Sequence, residues 1–163
     1  MVSLYAYIFW IERLYSDMLL QGFFAAMQAH GWAAWQGGAK AADQRIAIRQ
    51  MTRKQWVWTL AFAAAGTGGL GYLMYAYTNA DIPWLDAFTT TLSVIAQLRL
   101  NRRYLDNWLL WIGVDTVYLF QYSIKALYFT TGLYAVFLAM AFAGYKTWRA
   151  QYKIQINIQA PAP

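Results

Sequence analysis

Asp115 is the residue of this chain whose type and setting most clearly imply chemistry. It stands inside Asn107–Ile124, a run that is otherwise free of charge. An ionised group at membrane depth is costly and marks a functional position. At helical spacing Trp108, Trp111, Asp115, Tyr118 and Tyr122 share one face. A carboxylate flanked by aromatic faces suits a flat cationic ligand. The rings offer stacking and cation–π attraction, and the carboxylate offers charge or accepts from hydroxyls. The competing reading is an aromatic packing stripe in which Asp115 caps or pairs with a neighbouring helix.

A second set lies on residues 14–36, where Asp17, Gln21, Phe24 and Gln28 share a face. Glutamine amides in hydrocarbon need partners. They would bond ligand hydroxyls or hold helices together. His30 is the only histidine, and no Cys or acidic residue surrounds it at metal-ligand spacing. No metal, cofactor or catalytic set is therefore expected. Gly66, Gly68 and Gly71 form GxGxxG. That pattern binds dinucleotides only after a strand, and here it lies mid-span. Close helix contact through small residues is the better reading.

The elements that must position these residues are apolar helices. Of the 163 residues, 60% are hydrophobic and 12% charged, against about 25% charged in soluble domains. Charge-free runs cover Gln55–Ala80, Met18–Ala39 and Ala126–Tyr145, each near the roughly 20 residues that span hydrocarbon. Asn107–Ile124 and Ile82–Leu98 are shorter and carry Asp115 and Asp86. This leaves no room for a soluble domain, so an all-α polytopic membrane protein is expected. The net charge of +6 then reflects orientation rather than nucleic acid. Three loops on one side hold 11 of the 13 basic residues, which places the C-terminus and the 37–54 loop in the cytoplasm.

The chain also repeats itself. Residues 14–36 match 127–149 at an offset of 113, with eight of 23 positions identical, including Phe24/Phe137, Met27/Met140, Gly31/Gly144 and Trp35/Trp148. Gln21 pairs with Tyr134 at the same offset. Repeats in an apolar chain point to transporters, whose sites lie between the repeats. The second repeat lays out as helices 84–103, 107–124 and 127–149. Subtracting the offset makes 14–36 the third helix of the first repeat and 1–11 the end of its second. The helix 55–78 joins them. The expected plan is two parallel three-helix repeats around a linker helix (3+1+3), the first repeat, 1–36, incomplete at its N-terminus. Segment 37–54 is a basic loop, 84–149 the second repeat and 150–163 a cytoplasmic tail, disordered over Ile154–Pro163. No basic residue precedes the apolar start, so a signal peptide is a poor reading.

Residues 106–115, DNWLLWIGVD, with Tyr118, Tyr122, Lys125, Leu127-Tyr128, Leu133-Tyr134 and GYKTW at 144–148, resemble the Pnu-type vitamin transporters. The elements LYSDMLLQ at 14–21 and Gly31-Trp32 agree. The resemblance covers nearly the whole chain. It implies a 3+1+3 core related to the SWEET sugar transporters, in a bacterial inner membrane. It implies facilitated passage of phosphate-free nicotinamide riboside by alternating access, without enzyme activity. The carried-over pocket positions are Trp111, Asp115 and Gln21. Phe24, Gln28, Trp108, Tyr118 and Tyr134 complete the expected substrate face. Another vitamin, a nucleoside or a sugar is the alternative cargo, and a non-transporting membrane subunit is the rival from another class. The expected partners are the small-molecule substrate and the lipid bilayer, with homo-oligomerisation left open.

Overall fold

The computed structural model describes residues 2–38 and 48–159, with the side chains of 2–4, 6, 28, 30–38 and 159 outside the description. It contains six helices: α1 (Val2–Ile11), α2 (Tyr15–Gly38), α3 (Arg53–Tyr77), α4 (Pro83–Asn101), α5 (Asn107–Ile124) and α6 (Tyr128–Gln159). Among the described residues the β-structure is one isolated bridge, Arg49 to Tyr104. Residues 39–47 of the 37–54 loop fall outside the description, as do the side chains of Gln28, His30, Trp32 and Trp35.

The polarity of the fold is reversed relative to a soluble protein. Large apolar side chains lie on the surface, among them Val57, Leu60, Phe62, Tyr77, Phe129 and Val136. Asp17, Thr59, Thr89, Ser93, Asp115 and Gln121 lie inside. That pattern belongs in lipid, where polar groups must find partners within the protein. By length and composition α3 and α6 are long and apolar enough to cross a membrane. The others are shorter or more polar. With 18 residues, α5 rises about 27 Å, close to the hydrocarbon thickness.

The α1–α2 and α5–α6 connections are the same turn, 113 residues apart. Arg13 and Ala126 both have left-handed backbone, at φ 57° and 55°. Leu14 N–H donates to the Phe9 carbonyl at 2.8 Å, and Leu127 N–H to that of Tyr122 at 3.0 Å. Arg13 donates to Trp10 at 3.2 Å and Ala126 to Ser123 at 3.2 Å. This is the Schellman end of a helix, with the left-handed residue just past the last turn. The α4–α5 turn uses it a third time, at Arg103 with φ 60°. Helix ends keep the register too: Ile11 and Ile124 close their helices, and Tyr15 and Tyr128 open the next.

The chain divides into two compact units, Met1–Ile46 with Phe62–Thr91, and Ala47–Ala61 with Leu92–Pro163. In the first, α3 and α4 approach closely through glycine. A Cβ on Gly66 would lie 2.6 Å from the Thr91 methyl, and one on Gly71 would lie 2.5 Å from the Trp84 ring. Gly68 faces open space. The expected packing role of GxGxxG therefore holds at its first and third glycines. Ser16 N–H donates to Asp86 Oδ2 at 3.4 Å, the Ser16 hydroxyl meets the Met74 sulfur, and Tyr15 hydrogen-bonds Asn79.

In the second unit a short strap, 48–51, is tied down on two sides. Arg49 N–H donates to the Arg103 carbonyl at 3.0 Å, and Leu105 N–H to that of Arg49 at 2.8 Å. Met51 N–H donates to the buried Asp106 carboxylate at 2.5 Å. The Gln155 amide accepts from Ile48 N–H at 3.0 Å and donates to its carbonyl at 3.3 Å. Gln155 lies in the segment expected to be a disordered tail. That expectation is corrected: α6 runs on to Gln159. Residues 150–159 contain no Gly or Pro, and the clasp on Ile48 gives the last turns a tertiary contact.

Candidate functional site

The site is built on α5 of the second unit. One face of this helix buries Asn107, Leu110, Val114, Asp115, Tyr118, Gln121 and Tyr122. Asp115 is only 3% exposed, and no group among the described residues hydrogen-bonds or ion-pairs its carboxylate. Trp111, half-buried, lies one turn before it, and Tyr118 lies one turn after.

Helix α6 closes an aromatic cluster over the C-terminal half of α5. The Tyr118 and Tyr122 rings stack at 5.2 Å with an interplanar angle of 1°. Tyr134 leans across both, at 4.6 Å from Tyr118 and 5.0 Å from Tyr122. Phe137 meets Tyr134 edge-on at 5.5 Å. The electron-rich ring faces and the nearby carboxylate form the combination that holds a cation through stacking and charge together.

The structure thus brings Tyr118 and Tyr134 together and buries Asp115 one turn before Tyr118 on α5, three of the residues expected from sequence, with Trp111 on the adjoining turn. Trp108 is engaged differently. Its ring stands edge-on to Trp148 at 5.5 Å and lies where a Cβ on Gly144 would come within 2.6 Å. It locks α5 to α6 at the far end of the helix. Gln21 and Phe24 belong to the first unit, where both are half-buried on α2 and Phe24 lies 5.8 Å from Phe23. The backbone of Gln28 continues α2, and its side chain is outside the description.

Sequence reasoning passed over Gln121. It is fully buried, and neither amide atom has a partner among the described residues. The signal that singled out Gln21, an amide inside an apolar span, applied equally to it. Phe137 was also passed over as a site residue, although it repeats Phe24 at the 113-residue offset. Among the described residues no group of acidic or histidine side chains is arranged to hold a metal.

Residues 1–150 match the family model described as nicotinamide mononucleotide transporter. The chain belongs to the nicotinamide mononucleotide transporter family. Within this transporter family, curated relatives include the nicotinamide riboside transporter PnuC of Escherichia coli K12, 24% identical over 90% of this chain and 72% of its own. The PnuC of Neisseria mucosa is 28% identical over 90% of this chain and 60% of its own. The riboflavin/roseoflavin transporter RibM of Streptomyces davaonensis is 28% identical over 78% of this chain and 61% of its own. The crystal structure of the vitamin B3 transporter PnuC superposes with a TM-score of 0.73 at 26% identity, covering 93% of this chain and 69% of that one. The helical fold of the family is therefore that of the known transporter, and the chain is a membrane transporter by family.

Proposed function

We propose that this chain moves nicotinamide riboside across a bacterial inner membrane by alternating-access facilitated diffusion, and that it is not an enzyme. The observation that carries the reading is Asp115, a carboxylate buried in a span beside aromatic rings with no protein partner among the described residues. Such a group is expensive to keep, and a cationic or hydroxyl-bearing ligand offsets the cost. Nicotinamide riboside offers both, a fixed positive pyridinium and ribose hydroxyls. The relatives named as nicotinamide riboside transporters support the choice of cargo. In this reading Trp111 stacks on the pyridinium, and Asp115 takes the charge or the hydroxyls. Tyr118 and Tyr134 form the aromatic wall. Gln21 enters through the family resemblance.

The 3+1+3 plan belongs to the same proposal, supported by the turn repeated at 113 residues. So does a cytoplasmic C-terminus, supported by the excess of basic residues on that side. A second reading, riboflavin as cargo, is favoured by the similarity to RibM. Riboflavin is flat and hydroxyl-rich but uncharged, so the two readings differ at Asp115.

Calorimetric titration of the purified chain tests this. Nicotinamide riboside should bind, and Trp111→Ala should weaken it about fivefold or more, the equivalent of roughly 1 kcal/mol of cation–π contact. Asp115→Asn keeps hydrogen bonding and removes charge. A large loss in Asn makes charge the main term, whereas near-normal binding assigns Asp115 to the hydroxyls. Unchanged affinity in both Trp111→Ala and Asp115→Ala would remove the site. Tighter binding of riboflavin than of nicotinamide riboside would replace the cargo.

A further inference from the structure

We infer that the basic end of the second unit is a binding site for the phosphate of anionic phospholipid headgroups, built by Arg49, Arg53, Lys54, Arg102 and Arg103. All five are exposed. Three separate pieces of chain contribute them: the strap, the first turn of α3, and the α4–α5 turn. The strap is what gathers them. Its bonds to the Arg103 carbonyl and from Leu105 N–H set Arg49 beside Arg102 and Arg103, and two residues later α3 opens on Arg53-Lys54.

No acid balances this group among the described residues. Among the described residues Asp106 lies three positions after Arg103, but it is buried and receives Met51 N–H. Arg99, on the same helix end, is half-buried and satisfied internally. It donates to Thr59 at 2.9 Å and lies over the Tyr104 ring at 5.4 Å. The opposite arrangement holds in the first unit, where exposed Arg13 has Asp81 at 3.7 Å. Gathering like charges without a counter-charge is unfavourable unless an anion arrives. Arginine forks match phosphate oxygens in pairs.

The depth of the group selects the source of that phosphate. Within a turn of Lys54 the surface of α3 becomes Val57, Trp58 and Leu60, each more than half exposed. A tryptophan at that place marks the headgroup level of a bilayer. The five cations therefore stand where lipid phosphates lie, and basic patches there recognise anionic lipid.

The full chain is reconstituted in nanodiscs of phosphatidylcholine alone or with one part in three phosphatidylglycerol. Thermal unfolding is followed by tryptophan fluorescence. A ligand that binds the folded state raises the midpoint. Phosphatidylglycerol should raise it by several degrees, and molar salt should shrink the gain. The triple variant Arg49→Gln/Arg102→Gln/Arg103→Gln leaves the strap in place, because its bonds come from backbone groups and from Asp106 and Gln155, not from the arginine side chains. It should lose most of the gain while unfolding normally in phosphatidylcholine. The triple variant Lys146→Gln/Arg149→Gln/Lys153→Gln, on α6, should keep it. No gain in the parent protein overturns the proposal. So does an equal gain in the arginine variant, or an equal loss in the α6 variant, which would reduce the effect to diffuse charge. The same rise from inorganic phosphate in phosphatidylcholine discs overturns the lipid assignment. If the arginine variant does not fold, native mass spectrometry of the parent protein decides. Retained phosphatidylglycerol in preference to phosphatidylcholine supports the site, and no preference overturns it.

Discussion

The two units differ in the kind of polar group they bury. In the first, the buried Ser16 donates its backbone N–H to Asp86 and its hydroxyl meets Met74. At the exposed helix ends Tyr15 bonds Asn79 and Arg13 pairs with Asp81, while the hydroxyls of Thr67 and Thr90 lie buried without a hydrogen-bond partner among the described residues. Its tight contacts come from glycine, with Gly66 on Thr91 and Gly71 on Trp84. In the second, α5 buries Asp115 and Gln121 along with Tyr118 and Tyr122, with no hydrogen-bond partner for either Asp115 or Gln121 among the described residues. A satisfied buried polar group lowers the free energy of the fold, whereas an unsatisfied one raises it. What sets the second unit apart is a carboxylate and a whole amide side chain, costlier to bury than the single hydroxyls of Thr67 and Thr90.

The largest effect that sharpens this contrast is at Asp115. Asp115→Ala should weaken nicotinamide riboside about tenfold or more, about 1.4 kcal/mol or above, without lowering the unfolding midpoint. A fall in stability with normal binding would move Asp115 to the scaffold side. Next in size is Gly71→Ala in the first unit. The added methyl collides with a rigid indole, so a loss of about 1–3 kcal/mol is expected, read by thermal unfolding in detergent, with ligand affinity retained. No loss would mean that Trp84 moves aside freely.

Gln121→Met tests the other sign. It removes two unpaired amide atoms from a buried position and should stabilise by about 1 kcal/mol, measured in the same assay. A clear destabilisation would show that the amide has a partner after all. The smallest effect is expected at Ala126. A left-handed non-glycine residue costs roughly 1–2 kcal/mol, and glycine returns part of that as unfolded-state entropy. Ala126→Gly should therefore raise stability by about 0.5 kcal/mol. Arg13→Gly would relieve the same strain in the first unit but also lose the ion pair with Asp81, so its gain should be smaller.

The helices were largely legible in the sequence. The expected limits of α5 match the structure residue for residue, because Asp106 and Lys125 bracket an apolar run. The face carrying Asp115, Tyr118 and Tyr122 followed from 3.6-residue spacing alone. Three features were not legible. The Schellman turns lack their usual glycine, since Arg13, Arg103 and Ala126 hold the left-handed position. The strap depends on backbone bonds between segments some fifty residues apart, which leave no local pattern. The helical continuation of α6 depends on Gln155 finding Ile48, and alternating polar residues read locally as a tail. Within the site, Trp108 looked equivalent to Trp111 because both lie on the aromatic face. Only the closeness of Gly144 shows that one of them is a packing residue.

The turn at Lys125–Leu127 fixes the angular phase of α6. Its two backbone bonds admit one chain length, and each residue of a helix advances by about 100° around the axis. One residue added there would carry Tyr134 and Phe137 more than a quarter turn away from Tyr118 and Tyr122. It would also swing Gly144 off the Trp108 ring. The aromatic cluster and the α5–α6 lock are thus set by a single count of residues, and the α1–α2 turn keeps the same count.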